Sequence, residues 1–162
     1  MDDLTRAPWW EYLEEGQRDG LVTSRALLRR EREYPTPNTH DFSFVVFPAS
    51  KAYEGFLKKL FYELRFITQQ EYEGDRFRIG RALNPALEKD LRHESIYDKL
   101  ASFCQDNALP DQLWQAWKHS RNLLFHWWPA HKNVVTIEEA QERVQMIIDA
   151  IDAAFAECKV KR

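Results

Sequence analysis

Tyr53-Glu54-Gly55-Phe56-Leu57-Lys58-Lys59-Leu60-Phe61-Tyr62-Glu63-Leu64 is the stretch that decides the fold. Its apolar residues Tyr53, Phe56, Leu57, Leu60, Phe61 and Leu64 return at steps of three and four, the spacing that lines one face of an α-helix. Carried back to Ala49 and on through Ile67 to about Gln69, the pattern predicts a long core helix. Glu54 falls at the edge of the apolar arc, with Lys51 and Lys58 a little further round.

Upstream, Pro48 suits a helix start. The run Phe42 to Phe47, rich in aromatic and β-branched residues, predicts a short strand or an extended lead-in. Tyr34-Pro35-Thr36-Pro37-Asn38 breaks the chain. It divides a short helical N-terminal arm, residues 1–40, from a main domain over 41–162. Within the arm, helices are expected at 4–15 and 21–34, separated by Gly16 and Gly20. The charged run Arg29-Arg30-Glu31-Arg32-Glu33 reads as a solvated face.

Downstream, Gly74, Gly80 and Pro85 interrupt residues 71–85, which also carry Arg76, Arg78 and Arg81. Small helices are expected at 86–93 and 95–106. Pro110 starts a helix that runs through His126 and is stopped by Pro129. Thr136 and Glu139 have the spacing of a capping box, and a last helix follows through Val144, Ile147, Ile148, Ile151 and Phe155. The whole reads as an all-α bundle of four to five core helices joined by short connections.

The chain has 162 residues, 44% of them hydrophobic, with six Trp and ten Phe, enough for a substantial core. A formal net charge of -3 excludes a general nucleic-acid coat and leaves room for a local basic cleft. Cys104 and Cys158 form no CxxC pair and suggest no disulfide framework. No apolar run approaches the roughly 18 residues of a membrane span. Met1-Asp2-Asp3 lacks the basic-then-apolar layout of a signal peptide. These features predict a soluble, cytoplasmic protein with no membrane partner.

The chemistry concentrates in Arg121-Asn122-Leu123-Leu124-Phe125-His126. On a helical wheel Leu113, Trp114, Trp117, Leu124, Phe125 and Trp128 share an arc, and Arg121 falls inside it. A charge in an apolar stripe is costly unless it is paired or functional. His126 is rotated about 140° from Arg121 and displaced about 7.5 Å along an ideal helix. One helix therefore does not easily aim both at one atom, whereas two copies related by a two-fold axis could.

Several chemistries compete for these residues. Arg121 could be a buried partner of Glu54 with no further role. A metal site finds little support: His40, His93, His119, His126 and His131 include no i, i+4 pair. A nucleophilic hydrolase lacks a Gly-x-Ser-x-Gly elbow, and neither cysteine has a histidine beside it in sequence. Phosphodiester chemistry on RNA needs no more than these residue types. An arginine can hold the scissile phosphate and offset its developing charge. A histidine moves the proton of a 2′-hydroxyl or a leaving oxygen. Asn122 lies one turn before His126, where its amide can orient the imidazole, and Lys118 lies one turn earlier on the same side. Lys51, Lys58, Arg76, Arg78 and Arg81 could extend a phosphate-binding cleft. Trp127-Trp128 could stack a base.

Arg121-Asn-x-x-x-His126, late in a penultimate helix and followed by a long final one, resembles the Arg-x4–6-His signature of the HEPN superfamily. The segment Phe47-Pro48-Ala49-Ser50-Lys51-Ala52-Tyr53-Glu54-Gly55 further resembles the Phe-Pro-Ala-x-Lys-Ala-x-Glu-Gly block in the HEPN domain of RNase LS type toxins. The likeness covers roughly residues 42–158. It implies a HEPN-like helical bundle acting as a metal-independent, cofactor-free endoribonuclease. The implied setting is a toxin–antitoxin or antiphage system, with a homodimer and an antitoxin or regulatory protein as partners. Cleavage by 2′-hydroxyl attack would leave cyclic phosphate ends. Glu54 joins Arg121 and His126 as the implied catalytic set, with Asn122, Lys118 and Lys51 holding substrate. Many HEPN toxins carry a tyrosine two residues past the histidine, which a nucleotidyltransferase antitoxin modifies with AMP. Trp128 stands there in this chain, so direct binding is the expected mode of restraint. Non-catalytic HEPN modules that bind RNA, a nucleotide or a protein are the alternative.

Overall fold

Apolar residues spaced by three and four dominate the chain, and the described residues build only helices and the turns between them. The computed structural model of the chain describes residues 3–126 and 134–160. Helix α1 spans Glu15–Glu33, α2 Ser43–Glu63, α3 Gln69–Glu73, α4 Ile79–Ala82, α5 Ile96–Cys104, α6 Ala108–Trp117 and α7 Ile137–Phe155. Tight 3-10 turns lie at Leu4–Arg6, Trp10–Tyr12 and Lys89–Glu94. Wider π-helical turns prolong α6 over Lys118–Asn122 and α7 over Ala156–Val160. Among the described residues there is no strand, and no helix is long and apolar enough to cross a membrane.

The central element is α2. Val45, Val46, Tyr53, Phe56, Leu57, Leu60 and Phe61 on it are fully buried. Helix α1 packs along it, α7 lies against both, and α6 rests on α7 with α5 at its side. The run Phe42–Phe47, expected as a short strand or an extended lead-in, is instead the N-cap and first turn of α2. Two clamps explain why. The Phe42 N–H donates to the Val135 carbonyl at 2.8 Å. The Asp41 carboxylate accepts from the Ser43 N–H at 3.0 Å and from the Val135 N–H at 3.3 Å. The apolar run was a packing signal, and both valines go to the core. Pro48 therefore sits inside the helix rather than at its start. The Ala49 N–H beside it donates to Ser24 Oγ on α1 at 2.9 Å, so the neighbouring helix supplies an acceptor at the proline.

The same contact explains why Gly20 does not divide α1. A Cβ on Gly20 would come within 2.6 Å of the Pro48 carbonyl oxygen and 3.1 Å of Ala52 Cβ. Gly55 on α2 answers from the other side, where a Cβ would stand 2.8 Å from Gln17 Nε2. Gly20 lets the α1 and α2 backbones approach closely, so α1 begins at Glu15 and runs through both glycines instead of starting at residue 21, while the helix expected at 4–15 is two 3-10 turns, Leu4–Arg6 and Trp10–Tyr12. The described part of the arm, residues 3–40, shares the core of the rest: Trp9, Leu13, Leu21 and Leu28 are buried in the same cluster as α2 and α7. Trp9 Nε1 donates to Asp152 on α7 at 2.9 Å. Buried Glu31 accepts from the Thr36 N–H and hydroxyl, both at 3.0 Å, closing the turn before α2.

Of the two helices expected between 86 and 106, the first is the short 3-10 turn and the second is α5, capped by Ser95. The capping box forms as expected at α7. Thr136 Oγ1 accepts from the Glu139 N–H at 3.2 Å, and the Glu139 carboxylate accepts from the Thr136 N–H at 2.9 Å. The readings placed on Trp127, Trp128, Pro129 and His131 lie outside the described residues.

Candidate active site

The helix that carries Arg121 does not stay α-helical. Helix α6 ends at Trp117, and Lys118–Asn122 form a π turn closed by the Leu123 N–H on the Lys118 carbonyl at 2.8 Å. Such turns leave carbonyls off the regular ladder and recur at functional sites. Here two neighbouring helices engage them. Arg143 of α7 donates through Nη1 to the His119 carbonyl. Ser50 of α2 donates to the Ser120 carbonyl at 2.5 Å, and the Ser120 hydroxyl returns a bond to the Arg143 carbonyl at 3.2 Å. Ser50 and Ser120 are both buried. The turn is thus pinned from two sides, one residue before Arg121.

On an ideal helix Arg121 and His126 point apart, and the π turn over Lys118–Asn122 departs from that wheel. Both line a single cleft of about 450 Å³, together with Glu54 and Asn122. The widened turn and the non-helical residues after it reset the angular step on which the wheel depended. The opposite wall comes from α4 and the segment before it, through Phe77, Arg78, Gly80 and Arg81. Gly80 is required by close approach, since a Cβ there would lie 2.6 Å from Trp117 Nε1.

Arg121 Nε faces Glu54 Oε2 at 3.5 Å, and the two side chains are 36% and 39% exposed. The guanidinium carbon lies 5.9 Å from the Trp117 ring centroid and 5.6 Å from that of Phe125. Two aromatic rings and a carboxylate therefore orient the cation. Among the described residues its terminal nitrogens have no acceptor, leaving donors for a planar anion. Arg78, Arg81 and Arg121 face one carboxylate, Glu54, in the cleft lining. A chain of net charge -3 thus carries a locally basic site. Burial, with Lys118 and Arg143 nearby, holds the His119 imidazole below its ordinary range.

Other residues expected at the site lie elsewhere. Lys51 is exposed, with its ammonium 6.0 Å from the Phe47 ring centroid, and it does not line the cleft. Lys118 forms the start of the π turn and is likewise absent from the lining. Lys58 donates to the Gly74 carbonyl at 2.8 Å and ties α2 to the following loop. Arg76 opens onto the adjoining cavity instead. Sequence reasoning passed over Ser50, Ser120 and Arg143. For Ser50 a signal was available, a small polar residue on the apolar face of α2, one turn before Glu54. Among the described residues no group of three or more His, Cys, Asp or Glu side chains is placed to share a metal ion.

No protein-family model, curated protein or solved structure matches this chain.

Proposed function

We propose that this chain is a metal-independent endoribonuclease of the HEPN type. The observation that carries the reading is the convergence of Glu54, Arg121, Asn122 and His126 on one cleft walled by two further arginines. A phosphodiester bound there meets the guanidinium of Arg121, whose donors offset charge on the phosphoryl oxygens as the pentavalent state forms. His126 takes the proton of the ribose 2′-hydroxyl, or delivers one to the departing 5′-oxygen. The 2′-oxygen forms its bond to phosphorus as the 5′-oxygen leaves, giving a cyclic phosphate and a 5′-hydroxyl. Glu54 orients Arg121. The RNA supplies its own nucleophile, so the step balances without a cofactor.

The same reading includes a cytoplasmic toxin or antiphage effector that works as a homodimer and is restrained by a directly binding antitoxin. Support for self-association is the set of exposed apolar side chains Phe44, Phe47, Leu123 and Val134, at the start of α2, the end of α6 and the approach to α7.

The deciding experiment incubates RNA with the protein in EDTA, comparing wild type with His126→Ala and Arg121→Ala. Cleavage by wild type alone, with cyclic phosphate ends, is the expected result. Equal cleavage by all three proteins refutes the site. RNA binding by wild type with no new 5′-hydroxyl ends shifts the reading to a non-catalytic RNA-binding module.

A further inference from the structure

The cleft does not end at its arginine wall. Phe77, Arg78 and Arg81 also line a second cavity of about 400 Å³, which Arg76, His93 and Lys99 share from the other side. We propose that this second cavity is a subsite for an unpaired nucleotide next to the scissile bond, with its phosphate on Arg76 and Arg78 and its base against Phe77. The inference rests on the ribonuclease reading of the first cleft and makes the substrate single-stranded.

The charges argue for an anion. Arg76, Arg78, Arg81 and Lys99 face Glu71 and Glu94 across the cavity. The cations outnumber the carboxylates four to two. Glu94 holds Arg81 at 2.5 Å, and Glu71 accepts the Thr68 N–H at 2.8 Å and hydroxyl at 2.9 Å as the cap of α3. Lys99 donates to the Phe66 carbonyl at 3.0 Å. Arg78 gives one N–H to the Asp75 carbonyl at 3.1 Å and keeps its full charge. Arg76 is exposed and has no ion-pair partner among the described residues. With Arg81 and Glu94 paired, Arg76, Arg78 and Lys99 face the single charge of Glu71, so the cavity is short of negative charge.

The position argues for a nucleotide rather than an isolated anion. Arg78 and Arg81 stand between the two cavities, so a backbone leaving the first cleft meets them before it meets Arg76. Half-buried Phe77 presents a ring at the same junction, and aromatic rings in a basic groove stack bases without selecting sequence. A base paired in a duplex cannot turn into such a pocket, whereas one in a single strand is free to do so.

The test measures binding, so it does not depend on cleavage. A fluorescent single-stranded RNA hexanucleotide is titrated by anisotropy onto the full chain carrying His126→Ala, across a salt series. Adding Arg76→Ala should weaken binding at least about fivefold and flatten the log–log salt slope by about 0.7, the effect of one phosphate contact on a single strand. Adding Phe77→Ala should weaken binding at least about fivefold with the slope unchanged, as expected for a lost stacking contact. A blunt duplex of the same length should bind more weakly than the single strand. Parent-like affinity and slope in Arg76→Ala overturn the subsite, and so does a duplex that binds as tightly. Arg76 is exposed, so its variant keeps the test decisive even if Phe77→Ala folds poorly. Failure of the ribonuclease reading shows separately, as wild type that binds RNA and leaves it intact.

Discussion

Arg121→Ala separates an arginine kept for chemistry from one kept for stability. The Glu54 partner stands at 3.5 Å, and both side chains are more than a third exposed. An ion pair in that setting contributes about 0–1 kcal/mol, because water already screens it. The ring contacts with Trp117 and Phe125, at 5.9 and 5.6 Å, add about 0.5–1 kcal/mol at a partly exposed site. The expected loss of stability is therefore about 0.5–2 kcal/mol, against about 3–5 for breaking a buried pair. In a chain of this size that corresponds to a fall in Tm of about 1–8 °C. Loss of a donor aimed at developing negative charge should lower kcat by about 10²–10³. Urea denaturation monitored by circular dichroism gives the first quantity, and cleavage of a labelled RNA in EDTA gives the second. A destabilisation above about 3 kcal/mol would refute the reasoning, since Arg121 would then be a structural tie. So would unchanged cleavage in a folded variant.

Two glycines of α1 should respond with opposite sign. Gly20→Ala drives a Cβ to within 2.6 Å of the Pro48 oxygen and should destabilise by about 1–3 kcal/mol despite better helix propensity. Gly16→Ala meets nothing within 4 Å and should stabilise by about 0.4–1 kcal/mol; chemical denaturation of both checks the signs. Ser50→Ala removes the hydroxyl that the Ser120 carbonyl accepts, at a predicted cost of about 1–3 kcal/mol. It should also lower kcat although Arg121 and His126 remain; wild-type turnover in a folded Ser50→Ala protein would show that the pinned turn does not matter. For His119, the native state holds the imidazole below 6.5, so the neutral form favours folding. That contribution is present above about pH 6.5 and is lost as pH falls through the lowered native value. His119→Gln should flatten the acid limb of the stability curve, measured by denaturant midpoints below about pH 7, and an unchanged limb counts against it.

The helical periodicity of α2 and α7 was legible because each turns one apolar face to a shared core, and nothing at longer range overrides it. The Thr136–Glu139 cap was legible for the same reason: it is a local bond between residues three apart. What escaped was decided between elements. Gly20 reads as a breaker until Pro48 is known to lie against it. The Phe42–Phe47 run reads as a strand until Asp41 and Val135 are seen to clamp its entry. At the site, Glu54, Arg121, Asn122 and His126 could be nominated from residue type and spacing. Their shared place in the lining of one cleft could not, because an ideal wheel has no place for a π turn. Lys51 and Lys118 are near the motif in sequence and do not line the cleft, which their spacing alone did not reveal.

The π turn also bears on portability. Residues 118–122 owe their shape to Ser50 and Arg143, which belong to other helices. A peptide spanning the turn would lack these donors and would relax toward an ordinary α-helix or coil. Grafted onto a foreign bundle, the Arg-Asn-x-x-x-His string would keep its letters and lose its arrangement unless a buried hydroxyl and a guanidinium were installed opposite it. For anyone wishing to transplant or rebuild this site, the smallest transferable unit is therefore three helices, not one motif.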